Sequence, residues 1–362
     1  MPKFRPDLDR IESYVPGTPK GEVARRLGFD DIVKVASNEC PEPPFPEVVA
    51  AIAAAAATAN RYPEHSSHDL VSALAHKHGV SPQQVIVGAG SSQLLECIAL
   101  AAGGPGTSAV FAHPSFSLYA IRTAVAGARS IEVATDDRLR LDLGAMAAAI
   151  AADTTVIYVC NPNNPTGTHV APDALDAFIR RVSPEVLIVV DEAYAEYATS
   201  PDFATAVPYA LERDNVVVLR TFSKIYGLAG LRVGYGIGHA TILEALRKMQ
   251  APFSVSSVAQ AAALEALKHE DRRRERARRN ADERDRLEAA IAERGLEFAP
   301  SQTNFVLIHP GLDAAAVADA LLQEGVIVRR LGPWIRVTVG TTEENRRFIE
   351  ALDIAVDAVT SS

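Results

Sequence analysis

Short apolar runs rich in β-branched residues alternate with alanine-rich stretches of helical periodicity through the middle of the chain. The apolar runs predict strands at residues 84–90, 107–113, 129–135, 154–160, 185–194, 215–220 and 232–238. Apolar positions at helical spacing predict helices between them, as at 91–103 and 172–182. Nearly continuous apolar strands that alternate with helices form parallel sheets covered on both faces. The pattern therefore predicts an α/β fold with a mostly parallel seven-stranded sheet between helices.

Toward the C-terminus the strands become shorter and are more closely interleaved with helices. Strands are predicted at 304–309, 326–330 and 334–340, and helices at 313–325 and 342–353. We predict a large domain at 46–255 and a smaller α/β C-terminal domain at 256–362. An N-terminal arm and linker at 1–45, which ends in the proline-rich stretch 40-CPEPPFP-46, is expected to pack with the small domain.

Charged residues dominate one long helical pattern at 263–295, which contains the basic run 271-DRRRERARRN-280. The pattern mixes both signs of charge and carries apolar residues at helical spacing. It predicts a solvated helix face more readily than a site for an acidic partner.

Composition narrows the class of protein. The chain has 362 residues, is 48% hydrophobic and carries a net charge of -9, so neither nucleic acid nor an anionic membrane is an expected partner. Its three cysteines show no CxxC spacing, which predicts a reducing compartment and no structural metal site. No apolar run approaches the ~18 residues of a membrane span, and no signal peptide is recognisable, so we expect a cytoplasmic protein.

The glycine turn 88-GAGSSQ-93 opens a predicted helix at the carboxyl end of a strand. A helix N-terminus offers unpaired N–H groups and a positive dipole end, so a phosphate fits there. Gln93 stands where a dinucleotide fingerprint has its third glycine, which weakens that interpretation. A capped helix after a tight turn explains the motif equally well.

Polar groups also follow two further strands. The turn 161-NPNNPTG-167 can direct amide side chains at a ligand, although Asn-Pro pairs also open ordinary turns. Asp191 ends the apolar run 186–190, with Tyr194 three residues on. A carboxylate there costs several kcal/mol to desolvate unless it meets a cation or donors, although it could simply cap the next segment.

Lys224 lies just past the strand 215–220, and is either a solvated loop residue or a reactive amine at the mouth of the sheet. Thr221, Ser223 and Arg232 would supply donors and positive charge for a phosphate, and Phe116 an aromatic platform. Ligands bind at the carboxyl ends of parallel strands, where all these groups are predicted to lie. An amine, a phosphate cradle, a buried carboxylate and an aromatic ring together match the requirements of pyridoxal phosphate.

With these residues in place, the chain resembles the type I fold of pyridoxal-phosphate enzymes and, within it, the histidinol-phosphate aminotransferase family. The resemblance runs nearly end to end, through 13-SYVPG-17, 36-ASNE-39, 60-NRYPE-64, 161-NPNNPTG-167, 191-DEAY-194, 221-TFSKIYGLAGLR-232 and 335-IRVTVG-340. It implies transfer of an amino group with pyridoxal 5'-phosphate as cofactor, in a homodimer with shared active sites.

The resemblance also implies roles for individual residues. Lys224 would bind the cofactor covalently and move the proton, while Asp191 would face the ring nitrogen. Tyr194 and Asn164 would hydrogen-bond the phenolic oxygen. The remaining cofactor contacts would come from Phe116 on the ring face, from Ser91, Ser92, Thr221, Ser223 and Arg232 on the phosphate, and from Tyr62 on the phosphate of the other subunit.

For the substrate, Arg336 resembles the arginine that binds the α-carboxylate, where a bidentate guanidinium fits best. Tyr14 and Arg329 match positions that contact the distal phosphate of histidinol phosphate, and Asn164 would also face the substrate. The resemblance implies L-histidinol phosphate as amino donor and 2-oxoglutarate as acceptor, in histidine biosynthesis.

Two departures from the family pattern bear on the choice of substrate. The chain has 91-SSQ-93 where relatives often carry an acidic pair, and its short loop 330–335 contains the only tryptophan, Trp334. An indole beside the pocket would favour an aromatic amino acid such as phenylalanine. That substrate and a decarboxylase of the same fold stay open as alternatives, as does a non-catalytic cofactor-binding regulator.

Overall fold

A computed structural model describes residues 3–6, 8–14, 16–28 and 31–361. Residues 1, 2, 7, 15, 29 and 30 of the predicted N-terminal arm and residue 362 of the predicted C-terminal domain lie outside the described residues. The strands are β1 (Val33–Lys34), β2 (Val85–Gly88), β3 (Ser108–His113), β4 (Arg129–Ala134), β5 (Thr154–Cys160), β6 (Leu187–Asp191), β7 (Val216–Thr221), β8 (Gly234–Gly238), β9 (Glu297–Ala299), β10 (Phe305–His309), β11 (Val326–Ile327), β12 (Arg329–Leu331) and β13 (Trp334–Thr338). The helices are α1 (Lys20–Leu27), α2 (Pro46–Ala56), α3 (His68–His78), α4 (Ser91–Ala102), α5 (Leu118–Val125), α6 (Leu143–Ala148), α7 (Pro172–Arg181), α8 (Val207–Glu212), α9 (Ala240–Met249), α10 (Ser257–Ala266), α11 (Glu270–Glu293), α12 (Ala314–Gln323) and α13 (Thr342–Thr360).

Seven strands form the main sheet in the order β2-β8-β7-β6-β5-β3-β4. Strand β8 runs antiparallel to both β2 and β7, and the other neighbouring pairs are parallel. The predicted mostly parallel seven-stranded sheet of an α/β fold is therefore confirmed. Because β5, β6 and β7 lie side by side and parallel, the residues that follow them meet at one edge.

Both faces of this sheet are covered, as the continuous apolar strands predict. Successive residues of β5 alternate between two buried clusters: Ile157 and Val159 face the core beneath α3, α7, α8 and α10, whereas Val156 and Tyr158 face the core beneath α4, α5 and α9. The two-residue period of a strand thus places apolar side chains in both layers.

A second, antiparallel sheet has the order β12-β13-β10-β9 and shares a core with α11, α12 and α13, in which Phe348 and Leu352 are fully buried. Strand β1 pairs in parallel with β11, so the N-terminal segment packs against this smaller unit. The buried alanines of α10 belong instead to the core of the main sheet. The exact domain bounds at residues 45 and 255 stay a prediction.

Several local predictions are wrong in detail. The run 326–330 is two strands, because β11 pairs with β1 whereas β12 turns back through Gly332 (φ 58°) to pair with β13. The helical pattern 263–295 is interrupted between α10 and α11. The face of this pattern that was predicted to be solvated is only partly exposed, because Arg276 and Arg284 are buried. The short strands β1 and β9 are absent from the prediction because two or three residues carry no recognisable alternation.

Candidate active site

A cavity of about 260 Å³ lies at the carboxyl ends of β5, β6 and β7, where the smaller sheet approaches the main sheet. Every candidate site residue except Tyr62 lines it, namely Tyr14, Ser91, Ser92, Phe116, Asn164, Asp191, Tyr194, Thr221, Ser223, Lys224, Arg232, Arg329 and Arg336. The structure thus brings together side chains that are up to 322 positions apart, from 14 to 336. The contacts of each side chain constrain the role that it can play.

Lys224 follows the end of β7 and directs its amine into the cavity, where Nζ donates a hydrogen bond to the Asn38 carbonyl at 3.3 Å. The Tyr194 ring lies 5.4 Å from Nζ. Burial, together with the positive charges of Arg336 and Arg232, lowers the pKa of Lys224 to about 8. A neutral, nucleophilic amine is therefore accessible close to physiological pH, as imine chemistry requires.

Asp191 is the last residue of β6 and is only 2% exposed. Its Oδ2 accepts a hydrogen bond from the Tyr119 hydroxyl at 2.9 Å, and Oδ1 accepts one from the Ala193 N–H at 3.2 Å. Burial raises the pKa of Asp191 to about 6 although both hydrogen bonds oppose the shift. Since a carboxylate can accept about four hydrogen bonds, acceptor capacity is left for a cationic N–H in the cavity.

Tyr194 and Asn164 line the same cavity as Lys224 and Asp191. The Tyr194 hydroxyl accepts a hydrogen bond from Asn38 Nδ2 at 2.9 Å, which leaves its own proton available for donation into the cavity. Burial raises the pKa of Tyr194, so this proton is retained at neutral pH. The Asn164 side-chain oxygen accepts from Arg336 Nη1 at 2.5 Å, which leaves its Nδ2 as a donor.

A space that could hold an anion lies where α4 begins after Gly90. Gly90 has a φ of 76°, and a Cβ there would lie 2.6 Å from Arg232 Nη2. A Cβ on Gly234 would lie 2.5 Å from the Ser91 nitrogen. Glycine at 234 allows β8 to approach the helix N-terminus this closely, and glycine at 90 accommodates the positive φ beside the guanidinium. Arg232 Nη1 also donates to Ser223 Oγ at 3.2 Å, so donors converge on one anion-sized space.

The two arginines of the smaller sheet project from facing positions of the hairpin β12–β13. Arg329 and Arg336 are register partners in an antiparallel pair, which places both side chains on the face that lines the cavity. Arg336 Nη2 donates to the Ala36 carbonyl at 3.1 Å, and Arg329 Nη1 donates to the Pro16 carbonyl at 3.4 Å. Arg336 Nε is buried and has no hydrogen-bond partner among the described residues. An anionic ligand would satisfy it.

Three predicted positions lie away from the centre of the cavity. Tyr14 is at its rim and is 53% exposed. Tyr62 is 83% exposed and stacks on Phe253 with ring centroids 4.7 Å apart, so it contributes nothing to the site of its own chain. The prediction that Trp334 lies beside the pocket is wrong, because its indole packs edge-on against His309 and Leu331 lines the cavity instead.

Sequence reasoning missed two residues that orient the chemistry. Tyr119 donates to Asp191, and Asn38 contacts both Tyr194 and Lys224. Asn38 adopts a left-handed φ of 53°, a conformation that asparagine tolerates better than most residues. Asn38 stands in the motif 36-ASNE-39 and Tyr119 lies three residues after Phe116, but neither residue type signals its contact from local sequence.

Comparisons with known proteins agree on one family. Residues 30–352 match the family model described as Aminotransferase class I and II. The chain is 43% identical over 358 residues to a histidinol-phosphate aminotransferase of Moorella thermoacetica, covering 97% of this chain and 92% of the relative. It is 42% identical over 353 residues to an aromatic amino acid aminotransferase of Streptomyces coelicolor, covering 96% of each.

Among solved structures, the chain is similar to the histidinol-phosphate aminotransferase from Sinorhizobium meliloti in complex with pyridoxal-5'-phosphate. The TM-score is 0.91 at 30% identity, with coverage of 99% of this chain and 98% of the other. Within the described residues, no helix combines the length and apolarity needed to cross a membrane.

The buried charge of Asp191 makes a prediction about stability. Its folded pKa of about 6 lies above the ordinary 3.8, so Asp191 contributes stability that is fully present below pH 3.8 and lost as the pH rises through about 6. Asp191→Asn keeps an oxygen for Tyr119 but carries no charge. Relative to wild type, the ligand-free variant should gain on the order of 2–3 kcal/mol in unfolding free energy between pH 4 and pH 7.

Denaturant unfolding of both proteins across this range measures the difference. Asp153→Asn is the matched control, because Arg129 and Ser108 hold the pKa of Asp153 below its usual value. That variant should lose stability relative to wild type as the pH rises. A stability difference for Asp191→Asn that does not change with pH contradicts the assignment of a charged, buried carboxylate.

Proposed function

The chain belongs to the aminotransferase class I and II family, and on that premise we propose that it transfers the amino group of L-histidinol phosphate to 2-oxoglutarate. The products are imidazole-acetol phosphate and L-glutamate, a step of histidine biosynthesis. The enzyme is a pyridoxal-phosphate-dependent transaminase. Its free cysteines, Cys40, Cys97 and Cys160, are consistent with a cytoplasmic location.

One observation carries the choice of substrate: two guanidinium groups, of Arg329 and Arg336, line the same end of the cavity from facing strand positions. Burial lowers the pKa of Arg336, and the positive charge of Arg329 acts in the same direction. A phosphate monoester brings nearly two negative charges and three acceptor oxygens to this end, whereas an α-carboxylate brings one charge. The second carboxylate of 2-oxoglutarate also matches the second arginine.

The residues present fit pyridoxal phosphate. Lys224 would bind it covalently, Asp191 would face the ring nitrogen, and Phe116 would lie against the ring. Tyr194 and Asn164 would donate to the phenolic oxygen. The cradle of Ser91, Ser92, Thr221, Ser223 and Arg232 would hold the phosphate, and the close approach that Gly90 and Gly234 permit supports this fit. When bound, the cofactor supplies an electron sink for the pair left at the substrate Cα.

Each of these side chains then has its own proposed role in the reaction. Lys224, as a neutral amine, would take the proton from the substrate Cα and return it at the C4′ carbon, a transfer that its lowered pKa favours. Asp191, as an anion, would accept a hydrogen bond from a protonated ring nitrogen. Arg336 would bind the acid group of the substrate, which is the phosphate of histidinol phosphate or the α-carboxylate of an amino acid, so that the Cα–H bond faces the lysine. Arg329 with Tyr14 would bind the remaining phosphate oxygens of histidinol phosphate, or the second carboxylate of 2-oxoglutarate.

A second candidate substrate is an aromatic amino acid such as phenylalanine. The Streptomyces coelicolor relative with that activity in its name is nearly as similar to this chain as the histidinol-phosphate aminotransferases. Leu331 gives the cavity wall an apolar patch that a phenyl ring could contact. The paired arginines favour the phosphorylated substrate.

We further propose a homodimer with shared active sites. Tyr62 is exposed, is held by stacking on Phe253, and has no place in its own cavity, which suits a residue that reaches the cofactor phosphate of the other subunit. Phe253 and Met249, both partly exposed, add apolar surface to that region of the chain.

Lys224→Ala should lose both transamination and the visible absorbance of bound pyridoxal phosphate. In the wild-type apoprotein, the rate of covalent incorporation of the cofactor should rise with pH through about 8, since the amine reacts only when neutral. Lys268→Ala, which removes an exposed lysine paired with Glu265 outside the cavity, is the control and should behave like wild type. Retained turnover in Lys224→Ala would refute the assignment of the nucleophile.

Arg329→Ala should weaken reaction with histidinol phosphate while leaving phenylalanine nearly unaffected. Loss of a hydrogen bond to a charged group costs about 1.5–3 kcal/mol, or roughly 10- to 150-fold in kcat/KM. The amino-donor half-reaction should be followed alone by absorbance, because the second carboxylate of 2-oxoglutarate is also proposed to contact Arg329.

Arg330→Ala is the matched control, since this exposed neighbour on β12 points to the opposite face. It should change neither donor's kcat/KM. Equal losses for both donors in Arg329→Ala would contradict the proposed phosphate contact.

The shared site predicts complementation between two defective variants. Tyr62→Ala should bind pyridoxal phosphate weakly, and Lys224→Ala should not bind it covalently. In a heterodimer of the two, one site has an intact Lys224 from one subunit and an intact Tyr62 from the other. Only the heterodimers contain that site, so titration of mixed, re-equilibrated variants should show one tight covalent site per heterodimer and none in either variant alone. Absence of that site would exclude Tyr62 as a partner-subunit contact.

A further inference from the structure

Arg276 is a buried arginine in the middle of α11, in the stretch whose sequence predicts a solvated face. It is 3% exposed. Its guanidinium donates from Nη1 to the Ile225 carbonyl at 3.0 Å and from Nη2 to the Pro43 carbonyl at 2.8 Å. The same group lies 4.4 Å from the ring centroid of Phe45, and its Nε is 3.5 Å from Glu42 Oε2. None of these contacts belongs to the candidate active site.

The first of those carbonyls belongs to the residue directly after Lys224. The turn that follows is closed by a hydrogen bond from the Gly227 N–H to the Lys224 carbonyl at 2.9 Å. Gly227 has a φ of 71°, and a Cβ there would lie 3.3 Å from the Glu42 carbonyl oxygen and 3.4 Å from Arg276 Nη1. The lysine turn therefore packs directly on the segment 42–43, with the guanidinium between them.

The same N-terminal segment also contacts the lysine from its other end. Asn38, a few residues before Pro43, provides the carbonyl that accepts the hydrogen bond from Lys224 Nζ. Both the main chain and the amine of the lysine thus depend on where the segment 38–43 lies. Arg276 is a single side chain that joins this segment to the lysine turn.

Arginine is suited to this position for geometric reasons. Its planar fork can donate to two carbonyls in different directions while its face rests on an aromatic ring, and a lysine can do neither as well. Removal of the guanidinium would leave two carbonyl groups without these donors in a buried environment, which favours movement of the turn.

We infer that Arg276 is a positioning residue for Lys224: it fixes the turn after the lysine against the segment 38–43 and so holds the amine in the geometry for proton transfer. The inference rests on the proposed role of Lys224. A misplacement of about 1 Å can cost on the order of 100-fold in rate, so a defect in this contact should appear in turnover.

A neighbouring cavity makes a direct test possible. Arg276 borders a cavity of about 420 Å³ between the two units, whose lining includes Cys40, Tyr197, Asn280 and Thr341. Truncation to alanine would open the place of the guanidinium to this space. A guanidinium ion added to the solution could then occupy it and replace the missing donors.

The experiment compares holoenzymes of Arg276→Ala and Arg272→Ala. Arg272 lies one turn earlier on α11 and also rests on Phe45, at 4.2 Å, but it is 44% exposed and pairs with Glu47. Arg276→Ala should lose about 10- to 100-fold in kcat and shift the pH midpoint of the cofactor's visible band. Its KM for the amino donor should change by less than about threefold, as expected when binding is unaffected. Arg272→Ala should match wild type.

Millimolar guanidinium chloride should restore the kcat of Arg276→Ala with saturation, and should not raise the kcat of wild type or Arg272→Ala. Arg276→Met, which keeps the apolar stem on Phe45, should show the same loss without rescue, and it replaces the alanine variant if that variant does not fold. A lowered melting temperature with unchanged kcat and an unshifted visible band in either variant would overturn the inference, because the arginine would then serve stability alone.

Hydrogen exchange of the apoprotein separates this inference from the proposed function. The amides of residues 225–228 should exchange faster in Arg276→Ala than in Arg272→Ala, whatever substrate the enzyme uses and whether or not Lys224 is the nucleophile. Equal exchange in the two variants would overturn the role of Arg276 and leave the assignment of Lys224 untouched. Retained turnover in Lys224→Ala, with faster exchange in Arg276→Ala, would remove the functional premise alone.

Discussion

Burial of an amine and a carboxylate in one cavity is the constraint on which the rest of the structure depends. Taking charge out of water lowers the pKa of Lys224 and raises that of Asp191, so each group is less stable as an ion than it would be at the surface. The two residues lie at the carboxyl ends of adjacent parallel strands, β6 and β7, whose apolar side chains are buried, so burial of the strands also buries the amine and the carboxyl group. The same burial that destabilises the ions makes the amine nucleophilic.

Around this pair, the two candidate anion sites are formed in different ways. At one end, the N-terminus of α4 and Arg232 lie close together because Gly90 and Gly234 lack side chains, so main-chain N–H groups are available to an anion there. At the other end, Arg329 and Arg336 come from a hairpin of the smaller sheet, where register alone places them together.

The candidate active site is therefore complete only when the two sheets meet. The segment 36–39 connects them, since Asn38 contacts Thr338 of the smaller sheet and also contacts Lys224 and Tyr194.

Arginines of α11 extend that connection to the far side of the lysine turn. Arg276 is buried although the sequence predicts a solvated face, because its guanidinium donates hydrogen bonds to two carbonyls and packs on Phe45. Its neighbours Arg272 and Arg279 remain partly exposed and pair with Glu47 and Glu42. Three arginines of one helix thus make different contacts, and the extent of burial of each side chain distinguishes them.

The sequence by itself determined the seven strands of the main sheet, its mostly parallel character and the helix N-terminus at Ser91. These features follow from short-range rules: apolar runs, helical spacing, and the turn chemistry of glycine and proline. Many of the residues that line the cavity were predicted instead through the resemblance of the chain to a known family. Only the tertiary structure decided that Tyr119 holds Asp191, that Asn38 holds Lys224 and Tyr194, that Trp334 turns away from the cavity, and that Arg276 is buried. Those contacts join residues from 25 to 233 positions apart. No local period encodes such a separation, because it depends on the order of strands in a sheet and on how two sheets pack.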